Sequence, residues 1–172
     1  MRDGRCWRFL KRTVQRHPEL HGGICPERIG ILTPSSYRVL LVDDFEPWRG
    51  CAQLILGRNK RLQIVGEAAD GSEAIRKSQE LKPDLVLLDV GLPRVNGIHV
   101  AHQIGSLVPG AKVLFVSENQ DADVVHAALS NGARGYVLKA SAQTELLPAI
   151  EAVLMGETFV SRRLNHPPNG PF

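Results

Sequence analysis

Five polar residues of this sequence stand where short apolar runs end: Asp43 and Asp44 after Val39–Val42, Asp89 after Leu85–Leu88, Ser117 after Val113–Val116, and Lys139 after Tyr136–Leu138. Three of them are carboxylates. If the first and third runs are neighbouring strands, Asp43, Asp44 and Asp89 share one pocket. Two unit charges about 4 Å apart repel by roughly 4 kcal/mol at an effective dielectric of 20, so such a cluster calls for a cation. An all-oxygen donor set without His or Cys suits Mg2+, which takes a few carboxylates and commonly bridges to a phosphoryl oxygen. Lys139 offers an ammonium charge and Ser117 a hydroxyl donor to the same kind of anion. Asp89 is then placed as a nucleophile whose attack on phosphorus gives an acyl phosphate. Taken singly, Asp43-Asp44 reads as a helix cap or turn, Lys139 as a solvated charge and Tyr136 as core packing. Their joint spacing carries the chemical reading.

The elements that must position these residues are legible from Arg38 to Leu164. Short apolar runs alternate with segments of helical period, the pattern of repeated β-α units around a parallel sheet. The three runs of four apolar residues do not alternate with polar ones, which suits strands covered on both faces. Leu62 to Ala68 and Tyr136 to Leu138 supply a second and a fifth strand. Asp70-Gly71-Ser72-Glu73 resembles a capping box that opens a helix ending near Leu81, before Lys82-Pro83. Leu146, Leu147, Ile150, Val153 and Leu154 form one face of a last helix, with Pro148 in its early turns and Gly156 as its stop. In an open parallel sheet the ligand site lies beyond the carboxyl ends of the strands where strand order reverses, which is the edge that the polar residues occupy.

The 172 residues, 43% of them hydrophobic, supply one ordinary core rather than two full domains. The formal charge of +3 is unevenly spread: residues 1–36 carry +4 and the remainder −1. The body therefore lacks the basic excess of a nucleic-acid-binding domain. Three cysteines without CxxC spacing argue against a disulfide framework, and no apolar run reaches the length of a membrane span. The N-terminus lacks the apolar stretch and cleavage site of a secretory signal, so a cytoplasmic location is expected. The expected organisation is a basic, disordered extension at 1–36, one domain at 37–157, and a linker with a Pro-rich tail at 158–172. Within the extension, Trp7 to Val14 can be written as an amphipathic helix, and Cys6, His17, His21 and Cys25 as a loose zinc-like set broken by Pro18 and Gly22-Gly23.

Four motifs, in order and spacing, resemble the receiver domains of bacterial response regulators: Leu41-Val42-Asp43-Asp44, Asp89-x-x-Leu92-Pro93-x-x-x-Gly97, Val116-Ser117 and Gly135-Tyr136-x-x-Lys139. The resemblance covers about Tyr37 to Leu164. It implies a flavodoxin-like (CheY-like) doubly wound α/β fold, with a five-stranded parallel sheet of order 2-1-3-4-5 flanked by five helices. It also implies that Asp89 is phosphorylated by a histidine kinase or histidine phosphotransfer protein. Asp44 would bind Mg2+ directly, Asp43 through water and Gly91 through its backbone carbonyl. Ser117 and Tyr136 would form the switch pair, the hydroxyl moving to the phosphoryl group and the ring turning inward behind it.

Ala149-Ile150-x-Ala152-Val153-x-x-Gly156-Glu157-x-Phe159-Val160-Ser161 is similar to the receiver end and linker of NarL/FixJ-type regulators, in which a helix-turn-helix normally follows. Eight residues after Leu164 do not hold one, so DNA binding is not expected of this chain alone. The resemblance thus implies a phosphorelay receiver that switches a protein-interaction surface, with a phosphorylation-dependent homodimer as one output. It implies no enzyme beyond self-catalysed phosphorylation and dephosphorylation. A shortened NarL/FixJ-type transcriptional regulator is the alternative. An Asp-nucleophile phosphatase fits less well, because Gly91 stands where a second Asp would be expected. Two departures from the family pattern are Glu118, where a small residue usually borders the pocket, and Ser117 in place of the commoner Thr.

Overall fold

The computed structural model describes residues 36–165. The extension at 1–35, with its amphipathic and Cys/His segments, and the tail from 166 lie outside the described residues. In chain order the elements are β1 (Tyr37–Val42), α1 (Glu46–Leu56), β2 (Leu62–Ala68), α2 (Gly71–Leu81), β3 (Leu85–Leu88), α3 (Gly97–Leu107), β4 (Lys112–Ser117), α4 (Ala122–Ser130), β5 (Gly135–Leu138), a 3-10 turn (Lys139–Ser141), α5 (Ala142–Leu154), β6 (Phe159–Val160) and α6 (Arg162–Asn165). The strands form one sheet of order β2-β1-β3-β4-β5-β6, with every pair parallel. The expected five-stranded order is present. Beyond it, Phe159 and Val160 pair with Gly135 and Tyr136 as a sixth strand, in a stretch read from sequence as linker. Two residues are too few for any apolar period to show.

The continuous apolar runs have the cause expected of them. Successive side chains of a strand point to opposite faces, and here both faces are covered. Leu40, Val42, Val86, Leu88 and Phe115 pack with Ala74 of α2, Val100 and Ile104 of α3, and Ala128 of α4. Val39, Leu41, Leu85, Leu87 and Leu114 pack on the other side with Ile55 and Leu56 of α1 and with Leu146, Ile150 and Val153 of α5.

Local sequence sets the helix ends. Asp70 caps α2 by accepting the Glu73 N–H at 2.9 Å, while the Glu73 carboxylate reaches back to the Ala69 N–H at 3.0 Å, one residue earlier than in a standard capping box. Pro47 occupies the first turn of α1, where a missing N–H is harmless. Gly156, at φ +90°, follows α5 in the left-handed region that glycine adopts readily. Pro148 lies inside α5.

Candidate functional site

Strand order reverses between β1 and β3, and the ladder runs one residue past both strands. Val42 stands beside Leu88. The Asp89 N–H donates to the Val42 carbonyl at 2.9 Å and the Asp43 N–H to the Ala68 carbonyl at 3.1 Å. This register places Asp43 and Asp89 side by side at the carboxyl edge, 3% and 7% exposed, with Asp44 exposed at the rim. One carboxylate oxygen from each of the three lies within 4.8 Å of the other two.

Lys139 enters from the end of β5. Its Nζ stands 2.7 Å from Asp43 Oδ2 and 3.4 Å from Asp89 Oδ2. The shorter contact pairs the ammonium with Asp43 Oδ2, whereas Asp89 Oδ1 is buried with no hydrogen-bond partner. Burial raises the Asp43 pKa, and Lys139 and the Phe45 N–H offset only part of that rise. For Lys139 burial acts downward, but the two carboxylates outweigh it and hold the ammonium above its ordinary value. Three acids facing one ammonium leave the cluster short of positive charge. A buried, unpartnered oxygen on Asp89, the Asp43 carboxylate on the adjacent strand, an exposed third acid and no nitrogen or sulfur donor therefore fit a hard divalent cation such as Mg2+.

An open cleft of about 400 Å³ leads to this cluster, lined by Asp44, Asp89, Gly91, Ser117, Glu118 and Lys139 among others. Ser117 ends β4, and its Oγ accepts the Asn119 N–H at 3.3 Å, a long bond that is easily exchanged. Behind it Tyr136 is fully buried, its ring tilted against Phe115 at 6.1 Å, and its hydroxyl donates to the Asn119 carbonyl at 2.9 Å. Burial raises the Tyr136 pKa, against a lowering contact from Ser117. The ring thus lies wholly within the core.

The residues expected to meet do meet: Asp43, Asp44, Asp89, Ser117 and Lys139 converge, Gly91 lines the cleft, and Tyr136 lies behind Ser117. Three further residues support the site, of which only Gly97 stood in a sequence motif. Arg49 Nη1 donates to the Asp43 carbonyl at 2.7 Å while its Nε pairs with Glu67 at 2.8 Å, so a cation from α1 braces the first acid. Trp48 presents its ring to Lys139 Nζ at 5.5 Å. Gly97, at the start of α3, lies so close to the Asp89 carbonyl that a β-carbon would sit 2.2 Å from it. Arg49 and Gly97 reach the site through backbone contacts that only the folded chain creates.

Among known proteins, the family model of the response regulator receiver domain matches residues 39–151. The oxygen regulatory protein NreC of Staphylococcus aureus is 34% identical over 128 residues, covering 74% of this chain and 59% of that protein. The chain thus spans less than two thirds of that relative's length. A LuxR-family two-component response regulator from an Aurantimonas species superposes with a TM-score of 0.73 at 35% identity, over 76% of this chain and 94% of that one. The signal receiver domain of the putative response regulator NarL of Mycobacterium tuberculosis gives a TM-score of 0.68 at 32% identity, over 72% and 100% of the respective chains.

Proposed function

Because this chain belongs to the response regulator receiver family, in the group of NarL/LuxR-type two-component regulators, we propose that Asp89 is its phosphoacceptor and Lys139 and Ser117 hold the arriving phosphoryl group. Receiver domains are signalling rather than enzymatic modules, use Mg2+ at an acidic site and pair with histidine kinases. The donor proposed here is accordingly a phosphohistidine on a kinase or phosphotransfer protein, and the reaction is the domain's own. A carboxylate oxygen of Asp89 attacks phosphorus, a P–O bond forms and the P–N bond breaks. Its electron pair stays with the imidazole, which takes up a proton.

Mg2+, held by Asp43, Asp44, Asp89 and the Gly91 carbonyl, would neutralise charge on the transferred group. Each protein group has its own task. Arg49 and the Phe45 N–H, which donates to Asp43 Oδ1 at 2.9 Å, fix the first acid. Lys139, tethered between two carboxylates and an aromatic face, keeps its ammonium at the cleft floor. Ser117 can exchange its long bond from the Asn119 N–H for one it donates to a phosphoryl oxygen. That exchange loosens the β4–α4 loop, whose Asn119 also carries the Tyr136 hydroxyl. The readout is a shift in the face built from α4, β5 and α5, with a coupling of about 1–3 kcal/mol. A phosphorylation-dependent homodimer through that face is one outcome. Glu118, exposed at the cleft mouth, adds a negative charge that disfavours small anionic donors relative to a docked phosphohistidine protein.

The observation that carries this reading is the buried, unpartnered oxygen on Asp89 beside the Asp43 carboxylate and the Lys139 ammonium. Beryllofluoride, which mimics a phosphoryl group, tests it. With Mg2+ the protein should bind it, Trp48 fluorescence should report the event, and Asp89→Asn should abolish it. Absence of binding, or binding retained by Asp89→Asn, contradicts the assignment. The described residues contain no helix long and apolar enough to cross a membrane.

A further inference from the structure

Among the described residues one buried polar side chain outside the phosphorylation site is fully engaged and unexplained by it. Ser161 follows β6, is 0% exposed, and lies ten residues beyond the stretch that the family model matches. Its N–H donates to the Tyr136 carbonyl at 2.8 Å, and its Oγ accepts the Leu138 N–H at 2.9 Å. The same hydroxyl donates to a carboxylate oxygen of Glu145 on α5, and the Arg162 N–H reaches the other Glu145 oxygen at 3.3 Å.

These bonds bracket the segment that carries Lys139. Leu138 immediately precedes it, Glu145 lies one turn into the helix that follows, and the intervening residues form the 3-10 turn and the start of α5. One hydroxyl ties both ends of that segment together. A carbonyl from a longer β6 could accept the Leu138 N–H, but it could not also donate to Glu145; a hydroxyl does both. The upstream bond fixes the peptide of Tyr136 itself. On the reading of Asp89 as phosphoacceptor, both Lys139 and Tyr136 thus depend on Ser161, which touches neither the cleft nor the acids.

We propose that Ser161, with Glu145, is a positioning residue for phosphoryl transfer, setting the β5–α5 junction so that the Lys139 ammonium stands between Asp43 and Asp89. The C-terminal segment 159–162 is then a part of the phosphorylation machinery. Replacing the hydroxyl leaves the Leu138 N–H buried without an acceptor and the Glu145 carboxylate without its donor, and the junction relaxes to satisfy them.

The test separates anion placement from metal binding, because Lys139 faces the phosphoryl group whereas the acids hold the ion. In the full chain carrying Trp7→Phe, so that Trp48 is the remaining tryptophan, Mg2+ is titrated alone and beryllofluoride at saturating Mg2+, with Trp48 fluorescence as readout, for the otherwise wild-type protein, Ser161→Ala and Glu145→Ala. The expected result is beryllofluoride affinity lower by about five- to ten-fold in Ser161→Ala, a smaller loss in Glu145→Ala, and Mg2+ affinity within about two-fold of wild type in both. Trp48 emission should also shift in metal-free Ser161→Ala, since Lys139 lies against that ring. A variant with a lowered unfolding midpoint but wild-type beryllofluoride affinity overturns the proposal and makes Ser161 an edge cap only. If Ser161→Ala does not fold, Glu145→Ala decides alone, with unchanged affinity overturning it. Wild type that binds no beryllofluoride refutes the Asp89 assignment instead, and this proposal falls with it.

Discussion

Gly97→Ala puts a single methyl group against the peptide that carries the phosphoacceptor. Its carbon would lie 2.2 Å from the Asp89 carbonyl oxygen, 2.9 Å from Val90 Cα and 3.1 Å from the Asp89 carbonyl carbon. All three atoms are backbone, so no side chain can swing away. Bringing the shortest contact out to about 3 Å requires the start of α3 and the turn after β3 to part by roughly 0.8 Å, which also stretches the 3.0 Å bond from the Gly97 N–H to the Val90 carbonyl. Overpacking of this kind costs about 1–3 kcal/mol, offset by up to about 1 kcal/mol from the better helix propensity of alanine. The net expectation is a loss of about 1–2 kcal/mol. Because the displaced peptide belongs to Asp89 itself, and a misplacement near 1 Å can cost on the order of 100-fold in rate, phosphorylation should fall far more than stability does. Gly105→Ala is the control: it lies on the same helix with open space around its α-carbon, and should stabilise by about 0.4–1 kcal/mol. Urea unfolding and the rate of Asp89 modification by a small phosphodonor read both effects. A Gly97→Ala protein as stable as Gly105→Ala, modified at the wild-type rate, would refute the claim that this glycine sets the Asp89 peptide.

Mg2+ at 100 times its dissociation constant should stabilise the wild type by about 2.7 kcal/mol, and Asp44→Asn should lose most of that gain, as measured by thermal unfolding with and without the ion. In metal-free protein, Lys139 and Tyr136 both titrate above their ordinary values of 10.5 and 10.0. A group whose pKa is raised by folding contributes stability that is complete below its unfolded value and lost as pH rises through the folded one. Stability should therefore fall above about pH 10, and Lys139→Met and Tyr136→Phe should each flatten part of the fall in urea titrations across that range. Tyr136→Phe at neutral pH should cost only about 0.5–1.5 kcal/mol, the net worth of one hydrogen bond, whereas Tyr136→Ala should cost about 3–5 kcal/mol by emptying a buried site; equilibrium unfolding distinguishes the two.

The central sheet was legible because its strands are covered on both faces, which forces unbroken apolar runs such as Val39–Val42 and Leu85–Leu88. The site was legible for a related reason: a polar residue directly after such a run can only stand at the sheet's carboxyl edge, where Asp43, Asp89, Ser117 and Lys139 are found. β6 was not, since Phe159-Val160 carries no period and its pairing depends on an open β5 edge that exists only after folding. Arg49 resembles any basic residue on an amphipathic helix, and its role follows from where α1 lies relative to the Asp43 carbonyl. Ser161 gave no sign of burial, because a small hydroxyl next to charged residues reads as surface until its bonds with the Leu138 N–H and Glu145 are seen. Trp48 lies four residues past Asp44 in the sequence, while its contact with Lys139, 91 residues away, belongs to the tertiary structure alone.

Intact-mass analysis after incubation with a phosphodonor tests the assignment of Asp89 most directly. Wild type with Mg2+ should gain one phosphoryl group, in a linkage released by hydroxylamine as an acyl phosphate is, and should gain none when the ion is chelated or when Asp89 is replaced by Asn. A phosphoryl group that forms without a divalent ion, resists hydroxylamine, or persists in Asp89→Asn would contradict the account.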